Sequence, residues 1–231
     1  HPITRTQLLL ARAQNPIAGG VSVIKNGWLA TLLVAGLVEL LGLAGWALLA
    51  SGLGTARQGL YALGKPVGVL LLGFGSWWAV SSGWLPFAGT TVLSVAVVVV
   101  LVGALAWHRF RPGPARREVV ASEAVVWGCF ALFLGLRLLN PEIYWGEKPM
   151  DFSFLNTLYR TPTLPPPEPW FSGSVLHYTY FGHYLVAAFG KALAIAPEVM
   201  FNLGIGLVAG LLAAAALAVA ALLGGRLRWG F

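Results

Sequence analysis

Two carboxylates, Glu147 and Asp151, stand four residues apart around Lys148 and Pro149. A carboxylate held in a fixed place can take a proton from a hydroxyl group, so either acid is a candidate general base. The structural reading is that Asp151 lies in the first turn of a helix, where the dipole favours negative charge. Both readings can hold, because a cap also fixes where a carboxylate points. Further along, His177-Tyr178-Thr179-Tyr180-Phe181-Gly182-His183-Tyr184 gathers side chains that donate hydrogen bonds to sugars or phosphates. On a helix advancing about 100° per residue, His177, Tyr180, Phe181 and Tyr184 share a face, with His183 beside Tyr180. An aromatic belt at a membrane interface has the same composition. Two histidines six residues apart are not a metal site unless Glu147 or Asp151 joins them, so no metal ligands are assigned.

The elements that must position these residues belong to a membrane protein. Of 231 residues, 58% are hydrophobic and 10% charged, and the mean hydropathy is +0.77. Soluble domains carry about 25% charged residues. A single water-soluble core of this size cannot hide so much apolar surface. A soluble enzyme and a nucleic-acid-binding domain are therefore poor readings, despite a net charge of +7. The single cysteine, Cys129, excludes a disulfide framework and a thiolate zinc site within the chain.

A spanning helix needs roughly 20 mostly apolar residues. Six stretches qualify: 28–50, 67–85 after Pro66 as a helix start, 90–107, 119–136, 171–190 and 199–225. The expected fold is an all-α polytopic transmembrane bundle of about six spans. Its parts are an N-terminal interfacial segment (1–26), four helices (27–138), a loop with a short surface helix (139–170), two further helices (171–225) and a tail (226–231). The apolar positions Phe152, Leu155, Leu158 and Tyr159 set the surface helix. Five prolines between 162 and 169 then form a stiff strut, with Trp170 and Phe171 at the interface.

Basic residues in short loops mark the cytoplasmic side. Arg109, Arg111, Arg116 and Arg117 in 108–118, and Arg57 and Lys65 in 51–65, place those loops inside, and the uncharged 81–89 falls outside. The acid-bearing loop 139–170 then lies outside as well. Arg5, Arg12 and Lys25 before the first span, and Arg226 and Arg228 after the last, fit this alternation poorly. Glu39 in mid-span carries a cost of roughly 2.5–3.5 kcal/mol if ionised, so a partner, a proton or a function is expected there. Glu123 is the other carboxylate within a span; contact between the two acids would favour a transporter. Gly206 and Gly210 read as a close helix-packing pair.

Several blocks resemble a known family. Asn140-Pro141-Glu142, the run from Glu147 to Asn156, Pro165-Pro166-Pro167-Glu168-Pro169-Trp170 and Tyr178-Thr179-Tyr180-Phe181-Gly182-His183-Tyr184 are similar to the "YYY" family of uncharacterised polytopic membrane proteins. Its members show an E-K-P-M-D-F block, a P-P-P-D-P-W block and a Y-Y-Y-F-G-H block. Thr179 replaces the middle tyrosine here and Glu168 the aspartate. The resemblance covers roughly residues 28–225 and extends to GT-C-type glycosyltransferases, which take sugars from polyprenyl-phosphate carriers.

The resemblance implies that the chain is the N-terminal part of a larger GT-C-like protein in the cell membrane. Asp151 or Glu147 would be the catalytic carboxylate. Lys148, Arg160 or Arg137 would neutralise the leaving phosphate, aided by a divalent cation where one is bound. His177, Tyr178, Tyr180, His183 and Tyr184 would shape the sugar pocket. The implied partners are membrane lipid, a polyprenyl-phosphate sugar and other membrane subunits. The rival expectation is a non-catalytic subunit or scaffold whose outer loop docks a partner.

Overall fold

The computed structural model describes residues 23–53, 60–110 and 113–223. It is all-helical: α1 (Gly27–Leu53), α2 (Leu60–Ser81), α3 (Gly89–Phe110), α4 (Arg116–Leu138), α5 (Lys148–Arg160), α6 (Phe181–Ala192) and α7 (Pro197–Leu223). Five of these, α1 to α4 and α7, are long and apolar enough to cross a membrane. The expected interfacial helix before residue 23 and the tail after 223 lie outside the described residues.

Small residues set the packing. α1 and α2 run antiparallel with Gly42 and Gly45 against Lys65, Gly64 and Gly68. A methyl group on Gly68 would collide with the Leu41 carbonyl, and one on Gly45 with that of Gly64. The pair α4 and α7 uses the same device: Gly206 faces the Phe130 carbonyl and Gly210 that of Val126. This is the close approach expected from the glycine spacing. Asn26 starts α1 by accepting a hydrogen bond from the Leu29 amide at 3.0 Å.

The fifth expected span is not one. Residues 171–180 are irregular, and the helix that follows, α6, has 12 residues and rises only about 18 Å, against roughly 30 Å of hydrocarbon. α6 starts beside Gly73 and Trp77 of α2 and ends beside Phe87 and Gly89 at the start of α3. It therefore begins and ends in one half of the bundle. One end of the bundle gathers Ser81, Gly89, Leu138 and the start of α7, and we call it the loop end. The other gathers Leu53, Leu60, Arg109 and Arg116, the basic end. Because α6 does not cross, α7 descends antiparallel to α4 and finishes at the basic end. Arg226 and Arg228 lie outside the described residues.

Pro66 does not start α2. It lies inside the helix, whose first turn is fixed by Leu60 and Tyr61 packing against Trp46. Lys65, expected in a loop, is consequently inside a span and 3% exposed. The largest part of the core sits at the loop end. There Leu155 and Leu158 of α5, Tyr184 and Phe189 of α6, and Met200 of α7 close over Leu72 and Phe87.

Candidate functional site

The surface helix α5 forms with Leu155, Leu158 and Tyr159 buried as expected, and Asp151 falls in the first turn. Phe154, however, is buried where the spacing predicts Phe152, and Phe152 is only half-buried, against Phe201. No side chain caps this helix, although Glu147 occupies the N-cap position. Instead Asp151 Oδ1 lies 3.3 Å from His183 Nε2 in the first turn of α6. Packing of α5 on α6 makes this pair. Phe154 sits edge-on to the His183 ring at 5.8 Å and stacks on Tyr178 at 5.4 Å. At the other end of the same contact, Gly190 leaves the room that the Tyr159 hydroxyl fills, donating to the Ile195 carbonyl at 3.2 Å. Burial raises the Tyr159 phenol above its ordinary value, so this hydroxyl stays a donor.

Asp151 and His183 line a cavity of about 990 Å³ together with Arg137, Lys148, Tyr178 and Thr179. Its polar head is confined to the loop end. Below it the lining is apolar, formed by Cys129 and Phe133 of α4 and by a strip of α7 from Phe201 through Ile205, Val208 and Leu212 to Ala216. Sixteen residues of helix give this strip a length of about 22 Å. Val208 and Leu212 are 59% and 68% exposed, so the cavity is open sideways, toward what would be lipid.

The head of the cavity is rich in donors that the protein does not use up. Arg137 donates to the Asn140 carbonyl at 2.7 Å and the Pro141 carbonyl at 3.3 Å, and its guanidinium lies 5.5 Å from the Phe201 ring centre. Lys148 reaches the carbonyls of Asn140 and Glu142 at 3.4 and 3.3 Å. Three buried side-chain atoms lack a hydrogen-bond partner among the described residues; Arg137 Nε and His183 Nδ1 are two of them. Buried polar groups are normally paired, so two unpaired atoms on residues that line one cavity set its head apart from the packed interior.

The other expected residues lie elsewhere. Glu147 is exposed and His177 is exposed on the irregular segment before α6, so the shared helical face with Tyr180 does not form. Tyr180 accepts from the Trp77 indole at 3.3 Å. Tyr184 is fully buried and bonds Ser76 at 2.8 Å, away from the cavity. Arg160 lines a separate pocket of about 370 Å³ with Lys191, at the far end of α5. Burial lowers the Lys191 ammonium from 10.5 to about 7 while its Nζ donates to the carbonyls of Phe87 (2.6 Å) and Thr161 (2.9 Å). Asp151 and His183 offer two ligands to a cation; no group of three His, Cys, Asp or Glu occurs among the described residues.

A second charged cluster lies inside the spans. Lys65 Nζ is 3.0 Å from Glu39 and also pairs with Glu123. The Trp127 indole lies 2.8 Å from Glu39 and 2.9 Å from Glu123, within donating reach of both carboxylates. The Tyr61 hydroxyl donates to Glu123 at 2.8 Å. The two intramembrane acids thus meet, but with a lysine between them.

A bundle of apolar helices, most of them long enough to span, with a sideways-open cavity at one end defines a polytopic integral membrane protein. Residues 71–230 match the family described as "Uncharacterized membrane protein (DUF2298)", and the chain belongs to that family. No curated protein and no solved structure matches it.

Proposed function

We propose that the cavity holds a polyprenyl-phosphate sugar and that the chain carries the catalytic loop of a GT-C-like membrane glycosyltransferase. One observation carries this reading: a polar head with a carboxylate–histidine pair and two cations is continuous with an apolar channel open to the bilayer side. A lipid-linked sugar has the same division, an anionic head on a long hydrocarbon. The resemblance of the loop blocks to the "YYY" family and its GT-C relatives supports the same reading.

In the reaction, Asp151, oriented by His183, takes the proton of an acceptor hydroxyl as its oxygen attacks the anomeric carbon. The bond from that carbon to the phosphate oxygen breaks, and the lipid phosphate leaves with the electron pair. Arg137 and Lys148 face the departing negative charge. Arg160 and Glu147, given the same roles on sequence alone, stand apart from this head. The basic residues Arg109, Arg116 and Arg117 at the opposite end support a loop end outside the cytoplasm. Asp151→Asn is expected to abolish transfer from a polyprenyl-phosphate sugar, whereas Glu147→Gln retains it. Unchanged transfer in both variants would overturn the assignment.

The rival reading, a membrane subunit without chemistry of its own, draws support from the exposed Trp145 and Trp170 of the proline-rich loop, while the ionic cluster within the spans counts against it. The contact between Glu39 and Glu123 is the feature that favours a transporter, although Lys65 pairs with both acids.

A further inference from the structure

The Glu39–Lys65–Glu123 cluster takes no part in the proposed reaction. All four carboxylate oxygens have a partner within hydrogen-bonding distance: Lys65 and Trp127 for Glu39, and Lys65, Tyr61 and Trp127 for Glu123. The hydrogen bonds close, yet the charges do not. Two carboxylates face one ammonium, and among the described residues Lys65 is the only cation paired with either acid. Tyr61 is a neutral donor.

The uncompensated charge sits at an open face. Lys65 has a side chain only 4% exposed, but Glu39 and Glu123 remain 35% and 27% exposed. Leu32, Gly36 and Leu43 flank Glu39 on α1; Val120, Trp127 and Ala131 flank Glu123 on α4, following helical spacing. Leu32 is 70% and Val120 60% exposed. Gly36 and Gly128 have open space where a Cβ would stand. Charges in hydrocarbon persist only when paired, and small residues let helices approach closely.

We propose that this α1/α4 face docks a further transmembrane helix bearing a lysine or arginine at the depth of Glu39. That cation would balance the second carboxylate. A soluble partner or a lipid headgroup does not reach mid-span. A second copy of the chain would bring the same negative face and be repelled.

The test uses the full chain in nanodiscs and two synthetic leucine–alanine transmembrane peptides, one with a central lysine and a twin with leucine there. Fluorescence energy transfer reads association. The lysine peptide is expected to bind about tenfold more tightly than its twin, the scale of one interhelical polar contact. Glu39→Gln leaves a balanced Lys65–Glu123 pair and is expected to erase that advantage. Gly36→Leu, which fills the open face beside Glu39 without touching a charge, is expected to weaken binding of the lysine peptide. Equal binding of both peptides would overturn the proposal, as would an advantage that survives both substitutions. So would an infrared carboxylic-acid band at neutral pH that vanishes in Glu39→Gln, since a proton would then balance the charge. Self-association of the chain through this face, blocked by Gly36→Leu, would overturn it too.

Discussion

The two charged clusters of this bundle are built on opposite principles. Between α1, α2 and α4, all four carboxylate oxygens of Glu39 and Glu123 have a partner within hydrogen-bonding distance, and those partners come from three helices. At the loop end, Asp151 and His183 make one contact, and Arg137 Nε and His183 Nδ1 are left without any. The first cluster holds three helices together with every carboxylate oxygen already partnered inside the chain, and only its net charge is left for a further partner. The second faces a cavity with capacity left over, which is what a site for another molecule requires.

Substitutions sharpen this contrast by separating stability from activity. The largest effect is expected for Asp151→Asn, a loss of transfer on the order of 10²–10⁴-fold with little change in melting temperature. An equal loss of stability would turn the loop-end cluster into a structural one. Lys65→Met is expected to do the reverse. Two half-buried carboxylates lose their counter-ion, at a cost of about 1–3 kcal/mol in unfolding free energy, measured by denaturation in mild detergent. Lys65→Arg should recover part of that loss.

A smaller effect separates the cavity from the neighbouring Lys191 pocket. With its ammonium lowered to about 7 from 10.5, folded Lys191 releases a proton that the unfolded chain still binds. Stability therefore rises with pH between those two values, is flat below about 7, where both states carry the proton, and levels off above 10.5. Lys191→Met should remove the rise, which is on the order of a few kcal/mol at most. The smallest effect is expected for His183→Gln. Stability should fall by less than about 1 kcal/mol, since the histidine is only partly bonded, while transfer falls at least about tenfold.

Much of the bundle was legible in the sequence, because spans announce themselves by length and lack of charge. Where the reading failed, the reason was tertiary. Residues 171–190 contain enough Tyr, Phe and Val to pass as a span, yet the first ten form irregular chain and the rest a short helix packed within one half of the bundle. Lys65 looked like a loop cation before a helix-starting proline. Its partners come from α1 and α4, far away in sequence, so no local pattern signalled its burial. Asp151 and His183 were each singled out, but nothing in their spacing joined them; the packing of α5 on α6 does. The strip Ile205, Val208 and Leu212 escaped notice because lipid-facing and ligand-facing apolar residues look alike in sequence. Only the polar head above the strip distinguishes it.

The central claim is that one molecule occupies both the polar head and the α7 strip. A photoreactive polyprenyl-phosphate sugar, cross-linked in nanodiscs and mapped by mass spectrometry, tests this directly. Adducts are expected at Ile205, Val208 and Leu212, competed by unlabelled polyprenyl phosphate and much reduced by Arg137→Ala. Adducts spread evenly over lipid-facing residues such as Leu32 and Leu105, and indifferent to Arg137, would contradict it.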